Sequence, residues 1–214
     1  MPFDLATHIS TMSRAVRNLE QDGKPSKAVV TSHVYDTSVE DLWDAIVLAD
    51  RRRRWFGVVT GDLKVGGTYK IEGNASGTIT ECVPGERIAA TWEFGGNVTW
   101  VNVRLSAEGK GARLEVEHIA AIDPRWGQFG PGAVGIGWDL WFMGLARHLE
   151  SPSAEAPPEA VETWFYTDEA KTVIRTAGDA WAEANIKAGE DEAVARASAE
   201  NTRKFYTGET VPDM

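Results

Sequence analysis

The chain has 214 residues, 43% of them hydrophobic, which suits one generous core with additions and includes no apolar run long enough to span a membrane. Its net charge is −10, of which residues 150–214 carry −8 through 14 acidic and 6 basic side chains. Because an acidic surface repels phosphate groups, neither nucleic acid nor a membrane surface is expected as a partner.

The first 24 residues are predicted to form a helical extension. Apolar side chains recur at a helical period over residues 5–19, and Gly23 and Pro25 are expected to end that helix. Residues 27–35 read as a first strand, and a capping-box pattern that begins at Ser38 predicts a helix after it.

Four consecutive arginines, Arg51, Arg52, Arg53 and Arg54, follow in a short helical turn. A run of like charges usually lies on a solvated helix face, and this is the interpretation we favour. The alternative is that the run binds a phosphate or a carboxylate.

Six further strands are predicted, with a turn signal at every break. They cover residues 58–63, 69–72, 78–83, 87–94, 97–106 and 112–120. Glycine pairs and a Pro-Gly dipeptide supply the turns, and Val, Ile, Thr, Tyr and Trp dominate between them. With the strand at 27–35, the pattern indicates a seven-stranded antiparallel sheet.

The apolar period becomes helical again after Pro131. Residues 132–150 are predicted to form a long helix with a broad apolar stripe. A Pro- and Ala-rich linker over 151–160 leads to two helices at 168–188 and 191–206. These tail helices could cover an apolar patch of the main domain, form a dimer contact or dock a protein partner.

Several short motifs are distributed along these predicted elements. They are Trp43, Trp55, Val65-Gly66-Gly67, Gly77-Thr78-Ile79, Pro84-Gly85-Glu86-Arg87-Ile88, Thr91-Trp92, Ala112-Arg113-Leu114, His118 and Gly137-Trp138. In this sequence they make the chain resemble the START-like (SRPBCC, helix-grip) superfamily. Within it, the chain is similar to the C-terminal domain of the heat-shock-protein-90 ATPase activator and its homologues.

The resemblance implies an α+β, helix-grip fold over residues 25–150. A curved seven-stranded antiparallel sheet would wrap the long helix and leave a cavity between them. Residues 1–24 would be an N-terminal helical extension, and residues 151–214 a linker with a helical C-terminal extension. Members of the superfamily bind lipids, polyketides, hormones and other apolar molecules in this cavity, and a few catalyse cyclisation or hydrolysis.

Aromatic residues are the main candidates for the cavity wall, since nine tryptophans are unusually many. The candidates are Trp55, Trp92, Trp138 and Phe142, with Tyr69 as a possible hydroxyl donor. Trp138 and Phe142 differ by four positions and share one face of the long helix. For any single tryptophan, ordinary core packing is the simpler alternative.

His118 and Glu81 are the polar candidates. Alternation along its strand directs His118 toward the long helix, where it could anchor a ligand oxygen or act as a general base. Its alternative role is a hydrogen-bonded structural histidine. Glu81 alternates onto the face of Ile79 and Val83, so we expect an inward carboxylate that could pair with His118.

The predicted function is therefore the binding of a small, largely apolar ligand. A cyclase- or hydrolase-like enzyme and a chaperone-accessory or protein-interaction module are the alternatives. No metal site or cofactor is expected, because one cysteine and four scattered histidines lack ligand spacing. A cytoplasmic protein is predicted, because Cys82 is the lone cysteine and no signal-peptide core is present. The C-terminal helices are candidates for a homodimer contact or for a contact with a protein partner.

Overall fold

The computed structural model describes residues 4–153 and 162–211, and within them the fold is α+β. The helices are α1 (Leu5–Thr11), α2 (Val39–Val47), α3 (Ala49–Arg52), α4 (Pro124–Phe129), α5 (Gly132–Glu150), α6 (Asp168–Lys187) and α7 (Glu192–Tyr206), with a 3-10 turn at Glu162–Tyr166. The strands are β1 (Ser13–Gln21), β2 (Lys24–Tyr35), β3 (Val59–Gly61), β4 (Thr68–Ile71), β5 (Ser76–Val83), β6 (Arg87–Phe94), β7 (Asn97–Glu108) and β8 (Gly111–Ala121).

All of these strands pair antiparallel in one sheet of order β1-β2-β8-β7-β6-β5-β4-β3. Strands β3 to β8, which correspond to the six strands predicted after the arginine run, form an antiparallel meander, and β2 pairs with β8. The sheet and the long helix α5 share one hydrophobic cluster. The bounds predicted for β6 and α5 are confirmed, whereas the predicted number of seven strands is wrong because the described chain has eight.

The additional strand is β1, in the segment where a helix over 5–19 was predicted. Helix α1 ends at Thr11, and β1 pairs with β2 along its whole length, from Ser13 opposite Ser32 to Gln21 opposite Lys24. Asp22 and Gly23 both have positive φ, 51° and 73°, as a type I′ hairpin turn requires. The apolar residues that suggested one helix over 5–19 therefore belong to two elements, the helix α1 and the strand β1.

Helix α6 of the tail is built into the same core. Val173, Ile174, Ala177 and Trp181 are all buried in the cluster that contains Phe142 of α5. The predicted helices at 168–188 and 191–206 are confirmed to within one residue at each end. Most of the predicted linker over 151–160 lies outside the described residues, and the division of the chain at residues 24 and 150 stays a prediction.

A buried ion pair joins the N-terminal hairpin to α5 and α6. The carboxylate of Asp139 is fully buried and accepts hydrogen bonds from Arg14 Nε at 2.9 Å, Thr31 Oγ1 at 3.0 Å and Trp181 Nε1 at 2.8 Å. Arg14 also donates to two main-chain carbonyl oxygens near the end of α1. Burial raises the pKa of Asp139, and the three donors, Arg14 first, act in the opposite direction.

Two glycines of α5 should respond oppositely to alanine. A Cβ on Gly135 would lie 2.6 Å from Cζ2 and Nε1 of Trp181 and closer still to Cε2, whereas a Cβ on Gly137 would meet the Tyr206 hydroxyl at an ordinary 3.5 Å. We expect Gly135→Ala to lower the free energy of unfolding by about 1–3 kcal/mol through overpacking. Gly137→Ala should raise it by up to about 1 kcal/mol, as alanine favours helix. Urea denaturation of both variants measures the difference, and equal effects would contradict the packing of Trp181 on α5.

Candidate functional site

A cavity of about 250 Å³ lies between the sheet and α5, and α2 and α3 form its other wall. Its lining is almost entirely apolar. The lining residues are Ile46, Val47, Arg52, Trp55, Phe56, Val59, Leu63, Tyr69, Ile71, Ile79, Cys82, Ile88, Ala90, Trp92, Val101, Val103, Leu114, Val116, Trp138, Trp141 and Phe142. The alternation of β6 directs Ile88, Ala90 and Trp92 into the cavity, as the period of a strand requires.

Three tryptophans form one wall of the cavity. The ring centroid of Trp92 lies 5.4 Å from that of Trp138 and 5.9 Å from that of Trp141, and the last two rings are 4.9 Å apart. These separations and the tilted or edge-to-face angles are those of favourable aromatic pairs. The wall is therefore a continuous aromatic surface against which an apolar molecule could pack.

Five of the seven predicted site residues line this cavity, namely Trp55, Tyr69, Trp92, Trp138 and Phe142. The polar ends of two of them are already hydrogen bonded. Trp55 Nε1 donates to the carbonyl oxygen of Ala45 at 3.0 Å, and the Tyr69 hydroxyl donates to that of Thr91 at 2.7 Å. Burial raises the pKa of Tyr69 to about 12. These two side chains thus present rings to the cavity, and the predicted hydroxyl contact from Tyr69 would require its bond to break.

His118 faces α5, as the alternation of β8 predicts, but it lies behind the tryptophan wall. Trp138 Nε1 donates to its Nδ1 at 3.1 Å, so the ring proton of the neutral form is on Nε2. Nε2 then donates to Thr99 Oγ1 at 2.8 Å, and that hydroxyl donates to the carbonyl oxygen of Trp92 at 3.0 Å.

Both ring nitrogens of His118 are therefore engaged, and desolvation lowers its pKa to about 4. The lone pair that a general base needs, on Nδ1, already accepts the hydrogen bond from Trp138. This geometry favours the role of a hydrogen-bonded structural histidine, which holds Trp138 against the sheet.

The inward orientation predicted for Glu81 is wrong. The register of β5 against β6 shifts between Ile79 and Glu81, and this bulge interrupts the simple alternation. Glu81 instead forms a 2.6 Å ion pair with Arg87 in a half-exposed position, and its pairing with His118 is absent. Cys82, the next residue on β5, contributes to the cavity lining instead.

The arginine run is divided by the fold, so a fully solvated face is also wrong. Arg53 is exposed and pairs with Asp50 at 3.3 Å, whereas Arg51 is half-buried and binds Asp41 at 2.7 Å. Arg52 is only 9% exposed and lines the cavity. A run of like charges gives no sign of which member is buried, so Arg52 could not be predicted as a residue of the cavity.

An antiparallel sheet packed on a long helix, with a cavity between the two, defines the START-like, helix-grip class of proteins. The chain belongs to the family described as Activator of Hsp90 ATPase homolog 1-like protein, whose family model matches residues 36–150, more than half of the chain. No curated protein matches the chain. Within the described ranges, no helix is both long and apolar enough to cross a membrane.

Solved structures show the same architecture. CalU16 from Micromonospora echinospora is 28% identical, with a TM-score of 0.64 over 81% of this chain and 97% of that chain. DynU16, from the dynemicin biosynthetic locus, is 20% identical, with a TM-score of 0.53 over 58% of this chain and 48% of that chain. The Aha1 dimer from Colwellia psychrerythraea is 14% identical, with a TM-score of 0.51 over 59% of this chain and 98% of that chain. The last two likenesses show the fold alone.

Proposed function

We propose that the protein binds a small, largely apolar molecule in the cavity between the sheet and α5. The observation that carries this proposal is the lining itself, which combines aliphatic side chains with the tryptophan wall. Its volume of about 250 Å³ is just below the usual range for small-molecule sites, about 300–1,000 Å³, and so suits a small ligand. Removing such a molecule from water would supply most of the binding free energy.

The geometry favours binding over catalysis. His118 was the candidate base, and its two nitrogens are occupied by Trp138 and Thr99. Tyr69 is likewise bonded to a main-chain carbonyl oxygen. A carrier or sequestering role is therefore the function that we propose, and a protein contact through the C-terminal helices stays a prediction.

A cavity-filling variant tests the proposal. Ala90 points into the cavity, whereas its neighbour Ala89 lies on the opposite face of β6. We expect wild type to bind the uncharged fluorescent probe N-phenyl-1-naphthylamine, and Ala90→Phe to weaken that binding by about tenfold or more, because the new ring occupies the site. Fluorescence titration measures both affinities.

Ala89→Phe is the matched control, since it adds the same ring outside the cavity. Its affinity should equal that of wild type, and near-ultraviolet circular dichroism should show that both variants keep the native packing. Absence of probe binding to wild type, or equal binding to all three proteins, would contradict the proposed site.

A further inference from the structure

Arg52 is the single charged side chain among the described residues that line the cavity. It is 9% exposed and ends α3, where its Nη1 donates to the carbonyl oxygens of Ile46 at 3.3 Å and Val47 at 2.8 Å. Its Nε is buried and has no hydrogen-bond partner within the described part of the chain. Within the described residues, the guanidinium thus forms hydrogen bonds through one of its three nitrogens.

No carboxylate of the described residues neutralises this cation, in contrast to its two neighbours in the run. Arg51 binds Asp41 and Arg53 binds Asp50. The end of α2 contributes two carbonyl oxygens and the negative end of its helix dipole, which offset part of the charge. The described part of the chain supplies no full counter-charge to Arg52, and burying a cation without one is costly.

The chemistry of the missing partner follows from the guanidinium and its surroundings. A guanidinium presents a planar fork of N–H donors that matches the two oxygens of a carboxylate. The other residues that line the cavity are uncharged and mostly apolar, and they include the tryptophan wall. Among the described residues of the lining, Arg52 is the one cation, so the cavity can neutralise one negative charge of a ligand but not two.

We propose that Arg52 binds the acidic group of an amphipathic ligand, so that the cavity takes a monocarboxylic acid with an aliphatic or aromatic body. This inference rests on the proposed function and narrows its ligand class. The acid would enter head first toward α3 and leave its apolar body against Trp92 and Trp138. A neutral molecule of the same shape would bind more weakly, because it leaves the cation without a partner.

A matched pair of competitors tests the inference. Octanoate and 1-octanol have the same chain and differ in charge, and each can be titrated against bound N-phenyl-1-naphthylamine at neutral pH. We expect wild type to bind octanoate about tenfold or more tightly than octanol. The carboxylate of octanoate would form a charge-assisted hydrogen bond with Arg52, whereas octanol would leave the cation without an anionic partner. Arg52→Gln should remove this preference, so that its affinities for octanoate and octanol differ by no more than about twofold.

Arg53→Gln is the control, because it removes an equal charge one position away at the surface, and it should keep the preference. Since Arg52 also binds the end of α2, Arg52→Lys serves as a second variant that keeps the charge and should keep part of the preference. Octanol and octanoate binding equally to wild type would overturn the inference while leaving an apolar site in place. Failure of the neutral probe to bind at all would overturn the proposed function as well.

Discussion

Asp139→Asn is expected to lower the free energy of unfolding by about 3–5 kcal/mol, because this is the usual cost of removing one partner of a buried ion pair. Two of the donors, Arg14 Nε and Trp181 Nε1, point at the same carboxylate oxygen, Oδ2. An asparagine could accept from Thr31 through its carbonyl oxygen, but its amide nitrogen would then face two other donors. Arg14 would lose its counter-ion in a position from which water is excluded.

Urea denaturation of the purified variants measures this cost. Asp44→Asn, on an exposed position of α2, is the matched control and should change stability by no more than about 0.5 kcal/mol. The double variant Arg14→Met/Asp139→Leu should be less destabilised than the sum of its single variants, because neither charge is then left alone. A cost near that of the control would show that the pair is not needed for folding.

Removal of residues 151–214 is expected to prevent the formation of a stably folded domain. Helices α6 and α7 would be lost, and with α6 the buried Val173, Ile174 and Trp181, which belong to the core shared with α5. Asp139 would also lose one of its three donors. The newly exposed apolar surface would favour aggregation, so soluble yield and cooperative thermal melting are the measurements.

Point variants in the full chain make the same test without a deletion. Val173→Asp places a carboxylate at a position that is 1% exposed and should cost more than about 3 kcal/mol, since the buried charge has no partner. Thr172→Asp, its exposed neighbour on α6, should cost no more than about 0.5 kcal/mol. For the truncation of residues 151–214, a protein that stays monomeric and melts cooperatively would contradict the prediction. It would show that the tail is not needed for the fold of the rest of the chain.

The meander and the long helix could be predicted because their signals are local. Glycine and proline mark the breaks around β6, and the apolar stripe of α5 begins directly after Pro131. The β1 strand was missed for a local reason too. Asp22-Gly23 is a strong hairpin signal, but the helical spacing from Ile9 onward was given more weight.

The site was only partly predictable, because burial of a charged residue depends on distant partners. Aromatic residues on the expected faces do line the cavity, as Trp92 and Trp138 show. The bulge that turns Glu81 outward has no clear sequence signal. Asp139 did carry one, a lone carboxylate in the apolar run of α5, whereas its partner Arg14 lies 125 positions earlier and could not be paired with it from spacing.

That separation bears on the order in which the chain can fold during synthesis. The β1–β2 hairpin is local and can form as soon as it leaves the ribosome, but β2 must wait for β8, since Ser26 pairs with Ala121. The ion pair of Arg14 cannot form until Asp139 has been synthesised, and the hydrogen bond of Asp139 with Trp181 requires another 42 residues. The nascent protein therefore holds an incomplete core through most of its translation, and helix α6 is the element whose arrival completes it.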